Sequence, residues 1–287
     1  MIRIAMPNKG RLAEPSRELI KQAGLTFSHI SGRALQAKLG EEFLALFVRA
    51  NDIPEFVADG AADLGITGRD LVRESGRSLR ELLDLEFGRC RLAVAVRDED
   101  TVRSVDDIPD GTPVATSFPV TSEAFFAAKG RRVTLVPVSG AAEIAPHLGV
   151  ADIIVDLVST GSTLKTNGLR EISTVMESSA VLVGRSGVPE GGEDDAIVRD
   201  LTDALESVVC AKNKRYLMAN VPRSALDEVR RVLPGVSGPT IIDILNGGNL
   251  VAAHAVIGQS EAFAAIARLR QLGATGILLT KIERLSP

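Results

Sequence analysis

Asp152-Ile153-Ile154-Val155-Asp156-Leu157-Val158-Ser159-Thr160-Gly161-Ser162-Thr163-Leu164 is the stretch on which the fold of this chain turns. Ile153 to Val155 is a short continuous apolar run, the pattern of a strand covered on both faces. It delivers an acid, Asp156, and then a run of hydroxyls around one glycine that opens a helix. A loop of this kind can set backbone N–H groups and hydroxyls around a phosphate, with the positive end of the helix dipole behind them. Gly161 has no Cβ, so an anion can approach its backbone closely. α/β sheets bind ligands outside the carboxyl ends of their strands, which is where Asp156 stands, placed to hold sugar hydroxyls. The letters Ser-Thr-Gly-Ser-Thr alone also describe an ordinary capped helix with a turn glycine. The preceding acid favours the ligand reading.

Gly149-Val-Ala-Asp152-Ile-Ile-Val-Asp156 resembles Gly60-Ala-Ala-Asp63-Leu-Gly-Ile-Thr67, 89 residues earlier. In each, a helix is expected to end at glycine, a buried strand to begin through Ala-Asp, and a polar residue to mark the strand exit. The recurrence implies two similar α/β lobes. Further apolar runs lie at Ile2 to Met6, Phe43 to Val48, Leu92 to Val96, Val133 to Val138 and Val181 to Gly184. Amphipathic stretches such as Leu12 to Gly24 and Val120 to Gly130 separate them, which predicts βαβ units and parallel, buried sheets. The polar stretch Glu190 to Asp195 leads into a long helix expected to end near Lys214.

Beyond it the pattern becomes strand (Tyr216 to Val221), helix (Ser224 to Leu233), strand (Thr240 to Leu245), strand (Leu250 to Ile257), helix (Glu261 to Leu272) and strand (Gly276 to Ile282). That order is βαββαβ, a ferredoxin-like unit. The expected division is 1–95 with 178–211 as one lobe, 96–177 as the second lobe with the hydroxyl loop, and 212–287 as the ferredoxin-like domain.

Charge separates these parts. Residues from Lys212 carry ten basic and five acidic side chains, a balance of +5, so −9 falls on residues 1 to 211 within the overall −4. An acidic body lacks the electrostatic footprint of a nucleic-acid protein, and 3% aromatic residues leave little to stack on bases. With 45% hydrophobic and 24% charged residues the 287-residue chain can bury a full core, so disorder is excluded. Cys90 and Cys210 stand 120 residues apart without a CxxC partner, so neither a disulfide framework nor a zinc site is readable. No run reaches a membrane span and the start has no signal-peptide core, which points to the cytoplasm.

With its gaps, the central stretch resembles the phosphoribosyl pyrophosphate signature of the ATP phosphoribosyltransferases that open histidine biosynthesis. The matching positions are Glu143, Gly149, Ala151, Ile154, Asp156-Leu157, Thr160-Gly161 and Thr163-Leu164. The resemblance continues at Pro7-Asn8-Lys9-Gly10, Arg49-Ala-Asn-Asp52-Ile-Pro54, Gly65-Ile-Thr-Gly68-Arg69-Asp70 and Thr166-Asn-Gly-Leu-Arg170, and covers essentially the whole length. It implies two lobes like those of periplasmic binding proteins. The tail, with Pro239-Thr240-Ile241 and Leu272-Gly273-Ala274, is similar to the regulatory domain of the long form of this enzyme.

The implied reaction joins ATP to phosphoribosyl pyrophosphate with loss of pyrophosphate. Asp156 is the expected catalytic residue, and Asp156, Ser159, Thr160, Gly161, Ser162 and Thr163 the phosphoribosyl pyrophosphate site. Lys9, Gly10, Arg11, Arg49 and Asp70 are expected on the ATP or phosphate side. Asn220, Thr240 and Gly276 match positions near a histidine effector, although Asn220 offers an amide where a carboxylate would better pair an α-amino group. Mg2+ is expected to arrive with the substrates' phosphates, its protein ligands unassigned. The family implies a homohexamer. His29, His147 and His254 read as structural, since no triad or metal spacing surrounds them. The alternative from another class is a cytosolic two-lobed protein that closes on a small anion without chemistry.

Overall fold

In the computed structural model the apolar runs become strands of three sheets. Residues 1–28, 34–186, 193–235, 238–245 and 248–286 are described; His29 and the first half of the polar link, Glu190 to Gly192, lie outside them. The chain divides into Met1–Thr202 and Asp203–Pro287.

The first unit runs β1 (Ile2–Pro7), α1 (Ala13–Gln22), β2 (Gln36–Leu39), β3 (Phe43–Val48), α2 (Ile53–Ala58), β4 (Leu64–Gly68), α3 (Arg69–Ser75), β5 (Leu79–Asp84), β6 (Cys90–Arg97) and β7 (Pro113–Thr116). It continues with α4 (Pro119–Ala128), β8 (Thr134–Pro137), β9 (Ile153–Val158), α5 (Ser162–Thr166), β10 (Leu169–Ser178) and β11 (Ala180–Arg185), and then enters α6 (Glu193–Ala211). Two sheets result, one ordered β2-β3-β1-β4-β11-β5 and the other β10-β6-β9-β7-β8. Each anchors one lobe.

Both sheets are mixed, where parallel sheets were expected. β3, β1 and β4 pair in parallel, as do β8, β7 and β9. Antiparallel strands flank them: β2 on β3, β11 on β4 and β5, and β6 on β9 and β10. Because β6 pairs with β9 and β10, the second sheet starts at Cys90, five residues before the expected crossover at 95. The stretch before Gly149 forms a 3-10 turn at Ala142–Ile144 where an α-helix was expected.

The central strands are covered on both faces. Ile153 and Val155 of β9 pack with Leu92, Val94, Val114 and Phe126, whereas Ile154 and Val158 pack with Ala93, Ala95 and Leu164. This two-sided burial is why β9 reads as an unbroken apolar run. In the other lobe a Cβ on Gly65 would stand 2.5 Å from Ile53 Cγ2 and 2.9 Å from Val57 Cγ2, so glycine is what lets α2 settle onto β4.

Past Ala211, where α6 ends rather than near Lys214, come β12 (Lys214–Pro222), α7 (Leu226–Val232), β13 (Thr240–Asp243), β14 (Leu250–Gly258), α8 (Ala262–Gln271) and β15 (Thr275–Lys281). The sheet order is β13-β14-β12-β15 with every pair antiparallel. That is the expected ferredoxin-like arrangement. A core of Leu217, Val221, Val229, Leu233, Val251 and Leu269 covers one face of the sheet.

Candidate active site

Six strands, three parallel ones from each lobe, deliver residues to one cavity of about 760 Å³. From the first lobe come Lys9 to Leu12 after β1, Arg49 to Asp52 with Glu55 after β3, and Asp70, Leu71, Glu74 and Ser75 on α3. From the second come Ser117 and Phe118 after β7, Ser139 after β8, and Asp156 and Leu157 at the end of β9. Parallel neighbours present their carboxyl ends on the same edge, so each lobe turns that edge toward the cavity.

The charges are distributed unevenly across it. The lining cations Lys9, Arg11 and Arg49 all belong to the first lobe. Among the described residues Lys9 and Arg49 have no ion-pair partner, so both remain open to an anion. Arg11 is held instead: its guanidinium donates to the Gly88 carbonyl at 3.2 Å and to Cys90 Sγ at 3.1 Å, and lies 3.8 Å from Asp70 Oδ2. Asp70 is only 1% exposed. Its Oδ1 accepts the Ser178 hydroxyl at 2.6 Å, and its own N–H donates to Ser178 Oγ at 3.0 Å. A buried acid fastened this way orients Arg11 rather than meeting a ligand across open space.

Asp156 faces the cavity from the second lobe. Burial pushes its carboxyl up from the ordinary range and the charge of Glu143 adds to this, while the Leu157 N–H, donating to Oδ1 at 2.7 Å, acts against both. Among the described residues no side chain pairs with its second oxygen. A carboxylate desolvated without a protein cation gains from hydroxyl donors or a cation brought by a ligand. It is the type of perturbed group that marks functional clefts.

The hydroxyl loop follows directly, but the cavity lining stops at Leu157. Ser159, Thr160, Ser162 and Thr163 are exposed. Thr160 Oγ1 and Ser162 Oγ are 2.9 Å apart, and Gly161 takes φ +79° immediately before α5. The structure therefore gathers Lys9, Gly10, Arg11, Arg49, Asp70 and Asp156 at one cavity and leaves the loop at its margin, facing solvent.

With this geometry in place, comparison with known proteins is decisive. The family profile described as ATP phosphoribosyltransferase matches residues 49–207, and the one described as HisG, C-terminal domain matches residues 211–284. An ATP phosphoribosyltransferase of Gemmatimonas aurantiaca is 57% identical over 100% of both chains. The chain belongs to the ATP phosphoribosyltransferase family. It is thus a pentosyltransferase of histidine biosynthesis. An ATP phosphoribosyltransferase of Natronomonas pharaonis is 48% identical, again over 100% of both chains. Among solved structures, the ATP phosphoribosyl transferase (HisG:HisZ) complex from Thermotoga maritima aligns with TM-score 0.62 at 28% identity, covering 72% of this chain and 99% of that one.

Several cavity residues of this family member escaped the sequence reading. Ser117 follows β7, a four-residue strand too short to show a period. Ser139 follows β8 and Glu74 sits on α3, neither with a local motif. Asp52 was visible only within the Arg49 to Pro54 resemblance.

In the second unit the three effector candidates do not converge. A Cβ on Gly276 of β15 would lie 3.2 Å from Asn220 Nδ2, so those two are neighbours. Thr240 lies on β13 at the opposite edge of the sheet, across from His254 of β14, whose Nδ1 is 2.5 Å from the Tyr216 hydroxyl. His147, read as structural, is exposed, and its ring nitrogen Nε2 donates to the Asn167 carbonyl at 2.7 Å.

Proposed function

We propose that the cavity between the lobes is where adenine N1 of ATP attacks the anomeric carbon of phosphoribosyl pyrophosphate, forming N1-(5-phospho-β-D-ribosyl)-ATP and expelling pyrophosphate. The observation that carries this is the placement of the open cations Lys9 and Arg49 on one lobe opposite the unpaired Asp156 carboxylate on the other, in a chain of this family. On this reading Lys9, Gly10, Arg11 and Arg49 meet ATP or phosphate groups, with Asp70 fixing Arg11. Asp156 takes the ribose hydroxyls, and the N–H and hydroxyl groups of Ser159 to Thr163 take the 5-phosphate.

The nucleophile is a neutral ring nitrogen, so the reaction needs no strong side-chain base. It needs the two substrates aligned, an oxocarbenium-like carbon tolerated and the departing pyrophosphate stabilised. Asp156 serves the second need by setting negative charge beside the ribose. The cations of the first lobe serve the third.

Among the described residues no group of three or more His, Cys, Asp or Glu side chains is placed to hold a metal. That donor set fits Mg2+ carried mainly by substrate phosphates and water, with Asp156 the carboxylate of the second lobe that would stand beside it. When bound, the ion would neutralise pyrophosphate charge. We further propose that the enzyme acts in the cytoplasm as a homohexamer, and that the second unit binds histidine as a feedback inhibitor. The separate ferredoxin-like fold and its +5 balance support that last assignment.

Pyrophosphate release that requires both ATP and phosphoribosyl pyrophosphate, with a matching change in adenine absorbance, tests the central claim. Release without the absorbance change, or none at all, would refute it.

A further inference from the structure

α3 is a seven-residue helix of the first lobe whose two ends are fastened outside that lobe. At its start the Arg69 N–H donates to the Ser179 carbonyl and its guanidinium to Ser179 Oγ, both at 3.0 Å, while Asp70 is bonded to Ser178. Ser178 and Ser179 are the residues by which the chain leaves the second sheet for the first. At the other end Glu74 reaches α4 of the second lobe: Oε1 accepts the Val120 N–H and Oε2 the Thr121 N–H, each at 2.9 Å.

α4 has ten residues, no side-chain cap of its own and no acid in its first turn. Its free N–H groups and the positive end of its dipole favour a carboxylate. That carboxylate comes from the opposite lobe, and from a residue lining the substrate cavity.

We infer that Glu74 is a positioning residue for the transfer reaction: by capping α4 across the lobes it holds the arrangement in which Lys9 and Arg49 face Asp156. The inference rests on the reading above, in which ATP lies on the first-lobe side and the phosphoribosyl group on the second. A substrate held by one lobe does not need the latch. The transfer needs both lobes in register, so loss of the latch lowers the population of the competent arrangement and the rate falls with it.

The test uses the full chain with Glu74→Ala and Glu74→Gln, assayed well below the Tm of each variant. Glu74→Gln keeps the shape and one acceptor oxygen but loses the charge and sets an amide NH2 toward a backbone donor. The expected result is kcat/KM lowered tenfold or more in Glu74→Ala, intermediate in Glu74→Gln, with the Kd of ATP alone within twofold of wild type by calorimetry. A role confined to stability would lower Tm and leave kcat/KM at the assay temperature. Overturning results are a kcat/KM within threefold of wild type in Glu74→Ala, or an ATP affinity falling in parallel, which would make Glu74 an ATP contact. If Glu74→Ala does not fold, wild-type kcat/KM in folded Glu74→Gln overturns it equally. Transferase activity of the wild-type chain tests the functional reading separately.

Discussion

Gly161→Ala separates two roles that a glycine can play at a phosphate loop. Gly161 has φ +79°, and the nearest atom to an added Cβ is Val158 Cγ1 at 3.9 Å, ordinary contact. Alanine therefore fits the space and is penalised only by the left-handed backbone, about 1–2 kcal/mol. Against this, alanine restricts the unfolded chain, which returns about 0.4–1 kcal/mol. The net loss is about 1 kcal/mol, a Tm decrease of about 2–4 °C for a unit of this size. Gly130, in the same lobe, provides the control: φ is +67° and nothing lies within 4 Å of its added Cβ. Gly130→Ala should show the same loss of Tm. If a phosphate seats on the backbone of the loop, only Gly161→Ala obstructs it, and its Kd for phosphoribosyl pyrophosphate should rise at least tenfold by calorimetry, about 1.4 kcal/mol. Equal affinities in the two variants would remove Gly161 from the binding site.

Asp156→Asn should lower kcat/KM about tenfold to a hundredfold, since a charge-assisted hydrogen bond is worth about 1.5–3 kcal/mol. The same change should raise Tm at pH 7: burial and Glu143 hold the folded carboxyl above its unfolded value, so its ionised form costs stability at high pH. That cost disappears as pH falls below the unfolded value, so the Tm advantage should close toward acid pH; an unchanged gap would deny the linkage. Ser178→Ala removes the donor to buried Asp70 and should loosen Arg11, lowering kcat/KM about fivefold for about 1 kcal/mol, whereas unchanged kinetics would show Arg11 held by Gly88 and Cys90 alone. Thr240→Val should leave uninhibited turnover intact and weaken inhibition by histidine; inhibition equal to wild type would place the effector elsewhere.

What could be read from sequence was what is encoded locally. β9 announced itself because Ile153, Ile154 and Val155 are all buried, two facing one core and one the other. β5 (Leu-Arg-Glu-Leu-Leu-Asp) and β10 carry no comparable signal. β5 lies at a sheet edge with exposed charges, and β10 slips register twice against β6, between Glu171 and Ser173 and between Thr174 and Met176, which scrambles any period of two. Together with β2, β6 and β11 these antiparallel strands make the sheets mixed. α3 was hidden for another reason, since among its seven residues only Asp70 is buried. The acids, cations and glycine of the site stood beside strand exits and so were legible. Glu74 and Ser178 serve the site through partners 46 and 108 residues away, a relation no local pattern contains.

That division follows from how the cavity is built. A strand fixes where its exit residue lies, so an apolar run followed by an acid or a cation already locates a candidate contact, as with Asp156 and Lys9. The direction in which a long side chain then points is set by neighbours from other segments. Lys9 and Arg49 have no side-chain hydrogen-bond or ion-pair partner among the described residues, whereas Arg11, two residues beyond Lys9, is drawn away by a carbonyl, a thiol and a buried carboxylate. Three cations that look alike in sequence are therefore unlike in chemistry. Two can follow an incoming phosphate; the third is preorganised, and because Asp70 is itself tied to the interlobe crossover through Ser178, its orientation depends on how the two lobes meet. The same helix that carries Asp70 carries Glu74, so the placement of a cation at one end of α3 and the capping of the opposite lobe at the other are consequences of one rigid element.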